Sequence, residues 1–139
     1  VWPENYIEYA NKLCVNNHSC PSSISQYAGI EALKGPQNDL DKIVNEFQIR
    51  KEYLFREINK VKNISCFNPG GAFYAFPNVS KTGLSGKEFS KIALEEKGVA
   101  LVPGTSFGDK AEMFVRISFA NSLEKISEAI KRISTIWKK

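Results

Sequence analysis

Apolar residues in the first 60 positions recur at helical spacing. Beyond that point they alternate between the period of a strand and that of a helix. Tyr6, Ile7, Ala10 and Leu13 predict a short helix over roughly 4–14, with Pro3 at its first turn and the polar run Asn16 to Cys20 breaking it before Pro21. Ile24, Tyr27, Ala28, Ile30 and Leu33 predict a second helix from about Ser22, capped by Ser22 or Ser23 and ended by Gly35-Pro36. A third and longest helix, about 38–59, carries Leu40, Ile43, Val44, Phe47, Tyr53, Leu54 and Ile58, and its mixed outer face suits an element running between two bodies.

The remaining pattern is strand, strand, helix, strand, strand, helix. Short strands are predicted over 63–67, 72–76 and 99–102, with Asn68-Pro69-Gly70-Gly71 as a turn between the first two. An amphipathic helix over 86–96 ends at Gly98, and a terminal helix capped by Asn121 or Ser122 reaches about Trp137. The expected class is α/β of the α+β kind, a small mixed or antiparallel sheet with helices packed on one side.

The fourth strand contains an anomaly. Met113, Val115, Ile117 and Phe119 alternate onto one face, leaving Phe114, Arg116 and Ser118 on the other. A guanidinium among apolar neighbours calls for an anion, because a buried unpaired charge is costly. The plainer alternative is a surface arginine on a half-exposed sheet.

Composition narrows the choices. The 139 residues are 42% hydrophobic, 24% charged and 12% aromatic, as in an ordinary folded domain. A net charge of +4 with scattered lysines gives no basic stripe, so nucleic acid is not expected as a partner, and no apolar run is long enough to cross a membrane. Cys14, Cys20 and Cys66 lack paired metal or redox spacing, so reduced thiols in a cytoplasmic protein and no metal are expected. His18 is the only histidine, which argues against serine-hydrolase and multi-histidine metal chemistry. Asn-x-Ser triplets at Asn17, Asn63 and Asn78 carry little weight without a signal segment.

Four segments together resemble the carboxy-terminal part of the class I, aspartate-aminotransferase-like enzymes that depend on pyridoxal phosphate. They are Ser19-Cys20-Pro21-Ser22-Ser23-Ile24-Ser25-Gln26 with Glu31-Ala32-Leu33, then 68–76 (Asn-Pro-Gly-Gly-Ala-Phe-Tyr-Ala-Phe), then 98–108 (Gly-Val-Ala-Leu-Val-Pro-Gly-Thr-Ser-Phe-Gly), and Val115-Arg116-Ile117-Ser118-Phe119-Ala120. The resemblance implies a parent enzyme that moves an amino group between an amino acid and a 2-oxo acid, with Arg116 holding the substrate α-carboxylate. It implies the carboxy-terminal domain of a fold-type-I enzyme, with residues 1–35 the tail of the large cofactor-binding domain, 36–139 the small domain, and the long helix joining them.

No catalytic residue is expected in this chain. The lysine that carries the cofactor and the groups that hold it lie upstream of the matched part in the family. Val1 in first place with no initiator methionine is compatible with a processed protein or with a fragment, and the resemblance favours a fragment, expected to be inactive by itself. Gly71 and Phe73 are candidate pocket residues, with Gly70 and Gly71 permitting a tight turn or close approach and Phe73 and Tyr74 more at home in a core. The loop 103–108 is expected to shape a pocket wall and to move with the small domain, direct contact being the less favoured reading. Ser19 and Cys20 match a segment that in the family approaches the active site of the neighbouring subunit of a homodimer, with ordinary helix capping the plainer reading of the same residues. Cys14-Val15-Asn16-Asn17-His18 offers no arginine for a second carboxylate. The alternative is a stand-alone, non-catalytic carboxylate-binding or interaction module.

Overall fold

The computed structural model describes residues 3–137, in two compact units, one ending at Leu40 and the other beginning at Asp41. In the first, a 3₁₀ turn (Glu4–Tyr6) leads into α1 (Ile7–Asn17), followed by α2 (Ser23–Lys34). Helix α1 runs through the asparagines expected to break it. Asn16 folds its amide back onto the Lys12 carbonyl (2.7 Å), and the helix ends only where Ser19 takes the left-handed conformation, φ 56°. Ser22 stands at the N-cap of α2, yet its side chain makes no capping hydrogen bond. Neither helix contains a buried residue.

The second unit takes up α3 (Asn38–Ile58) past its first turn and continues with β1 (Tyr74–Ala75), α4 (Gly86–Glu95), β2 (Val102–Pro103), β3 (Val115–Ser118) and α5 (Leu123–Ile133). The sheet is antiparallel with β3 in the centre, in the order β1-β3-β2. Its inner face and the helices share one core. Leu54 and Ile58 come from α3, Phe89 and Ala93 from α4, and Ile126, Ile130 and Ile133 from α5; they meet Ala75, Val115 and Phe119. The caps follow the sequence. Ser85 and Glu88 form a capping box on α4, and the Ser122 hydroxyl accepts the Lys125 amide on α5.

The strands are shorter than their patterns suggest, for local reasons. The expected strand 63–67 reduces to one bridge, Ser65 with Asn78. Asn63 is left-handed (φ 67°), and the Asn59 side chain takes both backbone groups of Cys66, accepting from its amide at 2.9 Å and donating to its carbonyl at 3.0 Å. Over 72–76 only Tyr74 and Ala75 are strand, because Ala72 is left-handed (φ 57°) and Pro77 has no amide to donate. Over 99–102 the Val99 amide is spent on the Ala93 carbonyl (2.7 Å), closing α4 beside left-handed Gly98. Helix α5 stops at Ile133, short of Trp137. The Ser134 and Thr135 hydroxyls bond the Lys131 and Arg132 carbonyls, and the turn carries Ile136 into the core.

Candidate functional site

Register fixes what surrounds Arg116. Val102 of β2 pairs with it directly, while Tyr74 pairs with Ser118 and Ala75 with Ile117. Continuing that register by one residue sets Phe76 across from Arg116, so Tyr74, Phe76, Val102 and Arg116 share the outer face of the sheet. The inner face takes Val115 and Phe119 into the core, with Ile117 packed against it. Met113, expected on that face, is partly exposed and lies outside the core.

The guanidinium of Arg116, half-buried, lies against two rings. Its central carbon is 4.2 Å from the Tyr74 ring centre and 4.5 Å from that of Phe107. Phe107 comes from the 3₁₀ turn Gly104–Phe107, which is pinned to β3 by the Gly104 amide donating to the Phe114 carbonyl at 2.8 Å. A Cβ at Gly104 would run into the Ala111 carbonyl oxygen and come within 2.7 Å of that of Phe114, so this close approach requires glycine.

Charge pairing singles Arg116 out. The chain has three other arginines, and each holds a glutamate: Arg50 with Glu46 at 2.9 Å, Arg56 with Glu57 at 2.9 Å, Arg132 with Glu128 at 2.8 Å. Among the described residues Arg116 has neither an acidic partner nor a hydrogen bond to its N–H groups. A guanidinium whose faces rest on aromatic rings keeps its donor edge for a planar anion. This arrangement can grip a carboxylate. It supplies no amine or carboxylate to hold a cofactor, so what stands around Arg116 does not by itself fit pyridoxal phosphate.

The other candidates are dispersed. Ser19 and Cys20 belong to the first unit, where Ser19 ends α1 and Cys20 is exposed. Gly71 has open space where a Cβ would stand and no left-handed φ, so nothing among the described residues approaches it closely; Ala72 makes the left-handed step instead. Phe73 is partly exposed and touches Tyr74 (ring centres 4.4 Å apart) and Phe47 (6.1 Å). Tyr74 stands on the outer face and not in the core, and the loop 103–108 delivers Phe107 onto Arg116. The signal available for Phe107 was its place in the glycine-flanked loop that precedes the arginine strand.

A separate depression of about 630 Å³ lies between α5, the segment 98–101 and the end of β3, lined by Val99, Leu101, Ile117, Ala129 and Ile133 among others. Arg116 does not line it. Among the described residues no three potential ligands cluster as a metal site, and no helix is long and apolar enough to cross a membrane.

Residues 1–133 match the model of the family described as "Aminotransferase class I and II". The chain belongs to that family. It is 35% identical over 138 residues to the aromatic-amino-acid aminotransferase 2 of Thermococcus litoralis, covering 98% of this chain and 35% of that protein. It is 36% identical over 136 residues to the aspartate aminotransferase of Pyrococcus abyssi, covering 96% and 35%. Its fold matches the crystal structure of an aromatic aminotransferase from Pyrococcus horikoshii with a TM-score of 0.88 and 36% identity, over 95% of this chain and 36% of that one. The chain thus spans about a third of the length of these relatives.

Proposed function

We propose that this chain is the carboxy-terminal part of a pyridoxal-phosphate-dependent aminotransferase, in which Arg116 holds the α-carboxylate of the amino acid and of the 2-oxo acid. One observation carries the reading: alone among the chain's arginines, Arg116 keeps its donor edge unspent while lying against aromatic rings. Two parallel N–H···O bonds from a planar guanidinium fix a carboxylate in position and in plane, which a lysine ammonium cannot do. Holding that group sets the direction of the neighbouring Cα–H bond, and orientation accounts for much of what such an enzyme supplies. The cofactor, when bound, supplies the electron sink. The groups that hold it belong to the larger part of the relatives' length that this chain does not match.

It follows that the chain alone transfers no amino groups. Residues up to about 35 belong with the large domain and the rest forms the small one. In the homodimeric parent, Ser19 and Cys20 approach the neighbouring subunit's site. The free thiols Cys14, Cys20 and Cys66 agree with a cytoplasmic setting.

The test is kinetic. In the parent enzyme Arg116→Ala costs about 3–5 kcal/mol of transition-state binding, the scale of stranding one partner of a desolvated charge pair, with Arg116→Lys intermediate. Unchanged kcat/KM for both substrates in Arg116→Ala would overturn the assignment. The chain mixed with pyridoxal phosphate, an amino acid and a 2-oxo acid should yield no amino transfer; transfer would refute its inactivity.

A further inference from the structure

The rings over Arg116 are braced from two directions. Behind Tyr74 stands Phe73, 4.4 Å between ring centres, then Phe47 at 6.1 Å, and Phe47 in turn meets core residue Phe119 at 6.4 Å. Behind Phe107 stands Phe76, edge-on at 6.0 Å and 79°, itself stacked on Phe114 at 5.3 Å and 9°. The backbone bearing Phe107 is tied down by successive hydrogen bonds, Gly104 amide to Phe114 carbonyl, Gly108 to Thr105, Ala111 to Gly108 and Phe114 to Ala111. Yet Phe107 remains 49% exposed, so burial of its own surface is a weak reason for this bracing.

We infer that Tyr74 and Phe107 are positioning residues, which hold the Arg116 guanidinium in one orientation and direct carboxylates to its edge. The inference rests on the reading of Arg116 as the carboxylate anchor. Aromatic faces carry negative potential, so they attract the guanidinium face and repel an anion approaching from that side. An anion is thereby steered to the N–H edge, where bidentate binding is possible. A long side chain fixed before binding also loses less conformational freedom when the ligand arrives.

The experiment uses the 139-residue chain labelled with ¹⁵N-arginine, following the Arg116 Nε–Hε resonance as acetate is added. In the unmodified chain this resonance is displaced by the ring currents, is as ordered as the backbone, and shifts saturably with acetate. Phe107→Leu and Tyr74→Leu keep the charge but move the resonance toward that of free arginine and weaken acetate binding about fivefold, the lower range for a partly solvated cation–ring contact. Phe107→Tyr and Tyr74→Phe restore both properties. If acetate fails to shift the resonance in the unmodified chain, the anchor reading itself falls. If acetate binds the leucine variants as tightly as the unmodified chain, the anchor stands and the positioning role is overturned. An Nε–Hε group as mobile as free arginine in the unmodified chain overturns the positioning role without any variant.

Discussion

Both units carry apolar residues at helical spacing, with opposite fates. In the first, α1 and α2 present Leu13, Val15, Tyr27 and Leu33 to solvent, Leu33 being 86% exposed, and no helical residue is buried. In the second, α4 and α5 gather their apolar positions more cleanly onto one face, and Phe89, Ala93, Ile126 and Ile130 are sealed into a common core with the sheet. Helix α3 carries both behaviours, with Leu40, Ile43 and Val44 exposed near its start and Leu54 and Ile58 buried near its end. Periodicity creates an apolar stripe. Only a second surface turns the stripe into stability, at about 25 cal/mol per Å² covered.

The contrast is sharpest in truncation mutants followed by chemical denaturation. Phe89→Ala, at a fully buried site, should cost about 3–5 kcal/mol, whereas Ile24→Ala, at a position 82% exposed, should change stability by less than about 0.5 kcal/mol. Equal losses would mean that α2 is packed in solution. Gly104→Ala should cost about 1–3 kcal/mol, because its methyl meets the Ala111 and Phe114 carbonyls, and Gly71→Ala, with open space around it, should be close to neutral. Removing the capping box with Ser85→Ala should lower stability by about 1 kcal/mol; Ser22→Ala, where no side-chain cap exists, should do little.

The thiols give the gentlest test. Burial pushes the Cys66 thiol up from its ordinary value, while its S–H donates to the Phe67 carbonyl at 3.2 Å. Iodoacetamide should therefore modify exposed Cys14 and Cys20 first and reach Cys66 only on unfolding. The sign follows from proton binding. Above the ordinary thiol range of about 9 the unfolded chain has lost this proton and the folded chain still holds it, so stability falls as pH rises there. A Cys66→Ser variant whose stability falls equally steeply would assign the loss to other groups.

Much of the architecture was readable in the chain because its causes are local. Ser85 with Glu88, Ser122 ahead of Leu123, and the apolar spacing of α3, α4 and α5 place the helices within a residue or two, apart from the early end of α5. Arg116 was legible as the lone charge in an apolar alternation. Its partners were not. Tyr74 lies on another strand, far from it in sequence, and Phe107, although only nine residues ahead of it, sits on a separate turn whose return onto β3 the apolar pattern does not show. The strand 63–67 failed because a side chain, Asn59, took up hydrogen bonds that the pattern reserved for a ladder.

The sequence by itself determined the helices, the family and the strand bearing Arg116, since propensity, capping and motif order act over a few residues at a time. Only the tertiary structure decided which apolar stripes are covered, how short the strands are, and which rings meet the guanidinium. Those depend on the register between β1, β3 and β2 and on the turn that bears Phe107, where groups distant in the chain compete for the same hydrogen bonds and the same space.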